Sequence, residues 1–375
     1  MASTDRPTIH IHSTEDLLAL IPFILGFQPD TSLVLVAMDP ADRGGVPFTA
    51  RMTLPTTPES ASALPAALDV VTAQLTPLHG ISVALVGYGP ADPVQKAVAA
   101  ATDAMQQAGI SIRETLRVAD GRFWRLDGTE PASEPVDGTS FDPTESPVTA
   151  TAVYAGLVAL PGRDALADTL APVTGPARDR MVAATAMACE FFLAVLEAAR
   201  PGTGESNGGE SNSGESNSDT ASDTASDTAS DTVSDLDAAL HTPIGVALQQ
   251  VARTYLSQAQ DSYRAGQSVG DDQAAALTVL LELPSLRDFA ARRTSGEEWQ
   301  IQMWTDLVRR AQPPFTVGPA TMLALSALQT GRATVASIAI DRALDADPDN
   351  RFAQLLARAI AAGIDPATVR AFVAR

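Results

Sequence analysis

Few stretches of this chain carry residue types at spacings that could do chemistry, and each is short. Gly87-Tyr88-Gly89-Pro90-Ala91-Asp92 lies between a β-branched apolar run and a helical stretch. In open α/β sheets that strand end is where small ligands bind. Glycines there let a backbone approach a ligand, which makes Gly87, Tyr88, Gly89 and Asp92 candidate ligand-binding residues. The turn does not continue into G-x-G-x-x-G and has no P-loop lysine, and Asp92 at a helix start opposes a phosphate. A plain strand-to-helix turn is the competing, favoured reading. Gly26-Phe27-Gln28-Pro29-Asp30 enters the neighbouring apolar run. If the two strands are parallel, the two turns face opposite sheet edges, so a joint site requires antiparallel order. Otherwise this is a structural turn with Phe27 packed inward.

The remaining candidates are weaker. His10 and His12 would share one face of a strand, as two metal ligands do, but no cysteine or third histidine is near in sequence. Zinc sites take three or four ligands. His79 precedes Gly80 at a helix end, where its charge suits the helix dipole. Cys189, in MVAATAMACEFFLAVLEAA, reads as a small core residue without the electropositive neighbours of a reactive thiol. Gly204 to Gly208 fits G-x-S-x-G, but a nucleophile elbow needs a strand before it and a helix after it, and here neither is expected. No catalytic residue, metal or cofactor is therefore expected, and a non-enzymatic protein is favoured. Arg292-Arg293 and Arg309-Arg310 make basic spots that Glu297, Glu298 and Asp306 dilute, as on a solvated helix face. Trp299, Met303 and Trp304 concentrate bulk on one helix and read as a core anchor.

These residues must be positioned by a chain of 375 residues, long enough for two or three domains. Lysine occurs once, at Lys96, and the net charge is −20. Binding to nucleic acid needs a basic footprint, so that partner class is set aside, as is docking on an anionic membrane. The single cysteine excludes an internal disulfide. No stretch is read as approaching the roughly 20 apolar residues of a membrane span. The N-terminus lacks a signal-peptide layout, and a cytoplasmic protein is expected.

Residues 1–128 read as an α/β domain with a mixed sheet and helices packed on it. Ser13 with Asp16 resembles a capping box, and Leu17, Leu18, Leu20 and Ile21 form an apolar stripe. Pro22 should break or restart that helix, and Gly26 should stop it. Ser32–Met38 is short and apolar enough for a buried strand, pairing with Val46–Leu54 as a hairpin. A helix over about 59–76, a strand at Ile81–Val86, a helix from a cap at Asp92 to about Ala108 and a strand at Ile110–Val118 follow. Asp120-Gly121 then turns the chain into Phe123–Leu126. The order is hairpin, αβαβ, hairpin.

Residues 129–200 read as a helical extension of that domain. Residues 201–235, GESN-like and then SDTA units, are acidic and of low complexity, with almost no large apolar residue, and should be a disordered linker. Residues 236–375 read as a helical domain, with helices over about 236–265, 271–282, 297–311, 319–329, 333–346 and 350–361. Within it, 317–350 partly fits a tetratricopeptide repeat: Leu323, Ala324, Gly331, Ala336, Ile340, Ala343 and Pro348 fall in its slots. Ala320 and Ala327 stand where tryptophan and tyrosine are usual. Ala336 and Ala343 should face the preceding helix, and Arg342 should face solvent.

Taken together, LIPFILGFQPDTSLVLV, ALVGYGPAD, DGRFW and GLVALPGRDALADTLAPVTGPAR resemble the actinobacterial family of the domain of unknown function DUF4192. The resemblance spans most of the chain outside 201–235. It implies a cytoplasmic actinobacterial protein and brings no activity, cofactor or catalytic residue. Two functional classes follow. One is an interaction or scaffold protein that takes a protein or peptide partner on its C-terminal helices. The other is a small-ligand-binding or enzymatic α/β domain with a site near Gly87–Asp92.

Overall fold

The run Ser32–Met38 is apolar without interruption because both of its faces are covered. In the computed structural model, which describes residues 11–39, 45–126, 137–199, 240–364 and 366–373, it lies in strand β1 (Ser32–Asp39) of a six-stranded sheet. Leu33, Leu35 and Ala37 meet residues of α2 (Pro58–Leu75) and α3 (Ala91–Gln107) in one cluster. Val34, Val36 and Met38 meet Leu17, Leu18 and Ile21 of α1 (Thr14–Leu25) in another. Strand periodicity of two sends alternate side chains to opposite faces, so both sets had to be apolar.

The sheet also contains β2 (Gly45–Thr53), β3 (Ser82–Tyr88), β4 (Ser111–Ala119), β5 (Arg122–Arg125) and β6 (Thr139–Ser140), in the order β2-β1-β3-β4-β5-β6. Only β3 and β4 pair in parallel, with α3 as the crossover, and all other neighbours are antiparallel. The hairpin, αβαβ, hairpin order holds, and the sheet is mixed as expected. Asp120 at φ 51° and Gly121 at φ 69° form the tight turn between β4 and β5, the pair of positive angles that favours Asp-Gly.

Two local expectations are corrected. Helix α1 runs through Pro22 to Leu25 instead of breaking. Pro22 is buried, and only one turn of helix follows before Gly26 at φ 83° ends it, so few hydrogen bonds are at stake. Asp92 does not cap α3. Pro90 occupies that position without a side-chain cap, and Asp92 lies in the first turn.

The chain divides into two compact units, residues 1–169 with 359–364, and residues 170–358 with 365–375. The first holds the sheet together with α4 (Pro147–Tyr154) and α5 (Arg163–Asp168). The second is helical. It contains α6 (Gly175–Ala199), α7 (Pro243–Arg264), α8 (Asp271–Leu280), α9 (Pro284–Arg292), α10 (Glu298–Arg310), α11 (Val317–Gln329), α12 (Ala333–Ala346), α13 (Arg351–Ala361) and α14 (Pro366–Val373). Helix α6, read from sequence as an extension of the first domain, thus belongs to the second unit. The disordered-linker expectation for 201–235 lies outside the described residues.

Helix α11 is buried along its whole length and packs most extensively on α12. Ala336 and Ala343 are fully buried on α12, as their register predicts. Arg342 departs from its expected solvent position. It is half-buried and donates a hydrogen bond to the Leu170 carbonyl, and burial holds its guanidinium below the usual arginine range. Replacing Ala343 with Phe should overpack the α11–α12 contact and cost about 1–3 kcal/mol in urea denaturation. The same replacement at exposed Asp345 should stay within about 0.5 kcal/mol. Equal costs at the two positions would mean that the helix pair does not pack through Ala343.

Candidate functional site

The antiparallel pairing of β1 with β3 sets Ser32 opposite Tyr88. The Gly26–Asp30 turn before β1 and the Gly87–Asp92 turn after β3 therefore share one sheet edge, which is the arrangement a joint site requires. A Cβ on Gly89 would lie 3.7 Å from Thr31 Cα. The groups at this edge are largely committed to one another. Gln28 N–H donates to the Leu160 carbonyl (2.7 Å), Leu160 N–H donates to the Gly26 carbonyl (3.0 Å), and Phe27 is buried. Gly89 N–H donates to the Val118 carbonyl (3.0 Å), and its own carbonyl accepts from Arg117 Nε (3.0 Å).

The four candidate ligand residues divide by role. A Cβ on Gly87 would come within 2.3 Å of Val94 Cγ1, so this glycine lets α3 approach the sheet closely. Tyr88 is buried in the core on the α1 face, its hydroxyl has no hydrogen-bond partner among the described residues, and burial pushes the phenol far above its ordinary range. It is no acid or base near neutral pH. Gly89 has both backbone polar groups occupied. Asp92 is exposed and pairs with Lys96 at 2.8 Å. Beside them, half-buried Arg51 donates from Nε to Ser32 Oγ (2.8 Å) and from Nη1 to Thr53 Oγ1 (3.2 Å). Burial, and then the like charge of Arg163, hold its guanidinium below the usual range.

The helical unit carries a different kind of feature. Helix α6 has 25 residues and is long and apolar enough to cross a membrane by length and composition. This corrects the sequence reading, which found no such stretch. Only 17% of its most apolar window is buried. Met187 and Phe191 are each 68% exposed, and Leu193 and Val182 are exposed as well. From Met181 to Ala199 its only charged residues are Glu190 and Glu197. Helix α7, which packs on α6, adds exposed Ile244, Val246, Val251 and Tyr255. Large exposed apolar areas on a folded protein mark interaction surfaces.

The protein-family model described as Domain of unknown function (DUF4192) matches residues 15–367. This chain belongs to the DUF4192 family. No curated protein and no solved structure matches it.

Several chemical candidates of this DUF4192 chain are placed by the structure. His10 lies outside the described residues, as does the 204–208 elbow match. His79 is exposed in the turn before Gly80. Cys189 is partly buried on α6, with its thiol pushed up by burial. Met303 and Trp304 are buried core anchors, whereas Trp299 is partly exposed, donating from Nε1 to Glu297 Oε2 (2.8 Å) under the Arg264 guanidinium. Arg292, Arg293 and Arg309 are exposed as expected, but Arg310 is not. Arg310 donates to the Val269 carbonyl (3.0 Å), the Tyr263 hydroxyl (3.1 Å), Asp271 (3.4 Å) and Asp306. Asp271 in turn accepts from Arg180 (2.9 Å). This network ties α6, α7, α8 and α10 together. The Asp306–Arg310 spacing of four was its visible signal.

Proposed function

We propose that this DUF4192 chain is a non-catalytic interaction protein of the actinobacterial cytoplasm, and that its helical unit docks a protein partner on the apolar face of α6. The observation that carries this reading is the exposure of Met187, Phe191 and Leu193 along a helix with few charges. A soluble monomer gains nothing from leaving such side chains in water, whereas burying each would contribute about 1.5–3 kcal/mol. The charges on the exposed face are the carboxylates of Glu190 and Glu197, and nine further acidic residues follow in sequence between Glu205 and Asp237. A complementary partner presents an apolar strip flanked by lysine or arginine, as an amphipathic helix does. The α11–α12 pair, with its partial repeat register, supports the same class without itself leaving an apolar face open.

A second reading, insertion of α6 into a bilayer, rests on its length and apolar composition. The reading as a small-ligand or enzymatic domain centred on Gly87, Tyr88, Gly89 and Asp92 draws less support, because packing and internal hydrogen bonds occupy most of that turn.

The test is the double variant Met187→Glu with Phe191→Glu in the full chain, compared with wild type by quantitative cross-linking capture from the source cytosol and by vesicle flotation. Both side chains are exposed, so the fold should persist. The expected result is loss of at least one captured protein by about tenfold or more, the size of effect that follows from losing central apolar anchors. Unchanged capture would remove the docking reading, and flotation of wild type but not of the variant would favour the bilayer.

A further inference from the structure

Within the helical unit, α7 and α9 border an open cleft of about 390 Å³. That volume is at the small end of the range for small-molecule sites, roughly 300–1,000 Å³. Its α7 wall is Gln250, Arg253, Thr254, Ser257, Gln258 and Asp261, and Phe289 of α9 stands across from it. The six α7 residues recur every three or four positions, so they form one polar stripe about 16 Å long. Beside it runs the buried apolar stripe of Leu248, Ala252, Leu256 and Ala259. Helix packing accounts for the second stripe and not for the first.

Arg253 is the unusual member. Its Nε is buried, and among the described residues no oxygen accepts from any of its nitrogens. A buried donor left without an acceptor is costly unless something supplies one. The only group it meets there is the Phe289 ring, whose centroid lies 5.5 Å from its Cζ. A second guanidinium, that of Arg293, lies 5.2 Å from the same centroid and is held by Gln260 Oε1 (3.0 Å). Two like charges on one ring raise the local positive potential. The surroundings strengthen it. In a chain of net charge −20, α7, α9 and Arg293 together carry Arg253, Arg264, Arg287, Arg292 and Arg293 against Asp261 and Asp288. Asp261 is already paired with Arg264 (3.0 Å). The cleft therefore favours an anion.

We propose that this cleft binds a small organic acid, with its carboxylate on the Arg253 guanidinium and a neutral polar body along α7. A planar carboxylate matches the two-pronged edge of an arginine, and such charge-assisted pairs are among the strong hydrogen bonds. One guanidinium on the wall balances one negative charge, whereas a phosphate dianion would leave a charge unmatched near Asp261. Gln250, Ser257 and Gln258 offer uncharged donors and acceptors to the rest of the ligand. The Thr254 hydroxyl already donates to the Gln250 carbonyl (2.9 Å) and can only accept. Neither Met187 nor Phe191 lines this cleft, so it stands or falls separately from the docking face on α6.

The test is calorimetric titration of the full chain with acetate, lactate, glycerate and gluconate, with lactamide and inorganic phosphate as controls. At least one of the hydroxy acids should bind with Kd of about 1 mM or tighter. Lactamide, which lacks the charge, and phosphate should both bind more weakly. Arg253→Gln should weaken the best acid about tenfold or more, whereas Arg292→Gln, which removes an exposed charge outside the cleft, should leave it unchanged. Should Arg253→Gln fail to fold, Gln258→Trp decides instead: it is an exposed position on the cleft wall, and its bulk should obstruct the ligand to a similar degree. Absence of binding by all four acids overturns the proposal, as does equal or tighter binding of lactamide or phosphate. It is also overturned if Arg253→Gln leaves the affinity unchanged, or if Arg292→Gln weakens it as much.

Discussion

Replacing Arg310 with methionine should destabilise the helical unit by roughly 3 kcal/mol, at the low end of what breaking a buried ion pair costs. The side chain is 10% exposed and donates to a backbone carbonyl, a phenol and two carboxylates. Methionine fills similar volume but leaves those acceptors facing one another, with Asp306 and Tyr263 deprived of the shared positive charge. The low end applies because Asp306 and Asp271 each retain 31% exposure, so water relieves part of the loss. Urea denaturation followed by the fluorescence of Trp299 and Trp304 on α10 would measure it. Arg309→Met, one residue away and exposed, should stay within about 0.5 kcal/mol. Adding Asp306→Leu to Arg310→Met should recover part of the loss, because it removes the orphaned charge. If the Arg310 and Arg309 variants prove equally mild, the network does not organise these helices.

That adjacent pair shows how far sequence carried the reading. Arg309 and Arg310 are the same residue type, and composition places both on a solvated face. Burial of Arg310 depends on Tyr263 and Asp271, which come from other helices, and no local pattern announces such a meeting. Strand β1 was legible because covering both faces leaves a continuous apolar run. Its antiparallel pairing with β3 was not, because periodicity carries no direction. Helix α9, opening at Pro284 after a run of leucines, was passed over as a connection, and two-residue β6 is too short to leave a signal. Two features were visible in the residues, one of them not read and the other misread. Glu114 stands in strand register with Leu116 and Val118, which places a carboxylate on the core face. The scarcity of charge in α6 was taken for burial, although an exposed docking face and a core helix share that composition. Of the candidate site, sequence located the Gly87–Asp92 turn at the right sheet edge. It could not distinguish a glycine that admits a ligand from one that admits a helix.

Substitution at Gly87 makes that distinction. Gly87→Ala should cost about 1–3 kcal/mol, because its Cβ would stand 2.3 Å from Val94 Cγ1 and overpack the sheet. Val94 cannot easily retreat. It is fully buried, and its β-branched side chain has one strongly preferred rotamer in a helix. The helix would have to lift from β3, loosening Ala97, Val98 and Ala101, which share the same cluster. Gly87→Val should cost more, since each added methyl meets the same wall. The diagnostic variant is Gly87→Ala combined with Val94→Ala. If the glycine exists for packing, trimming Val94 opens the space the new methyl needs, and the double variant should be less destabilised than the two single costs added together. Coupling of this kind between contacting residues reaches about 0.5–3 kcal/mol. If the costs simply add, the clash at Val94 is not what selects glycine here. A role for Gly87 in admitting a ligand's approach would then regain its claim.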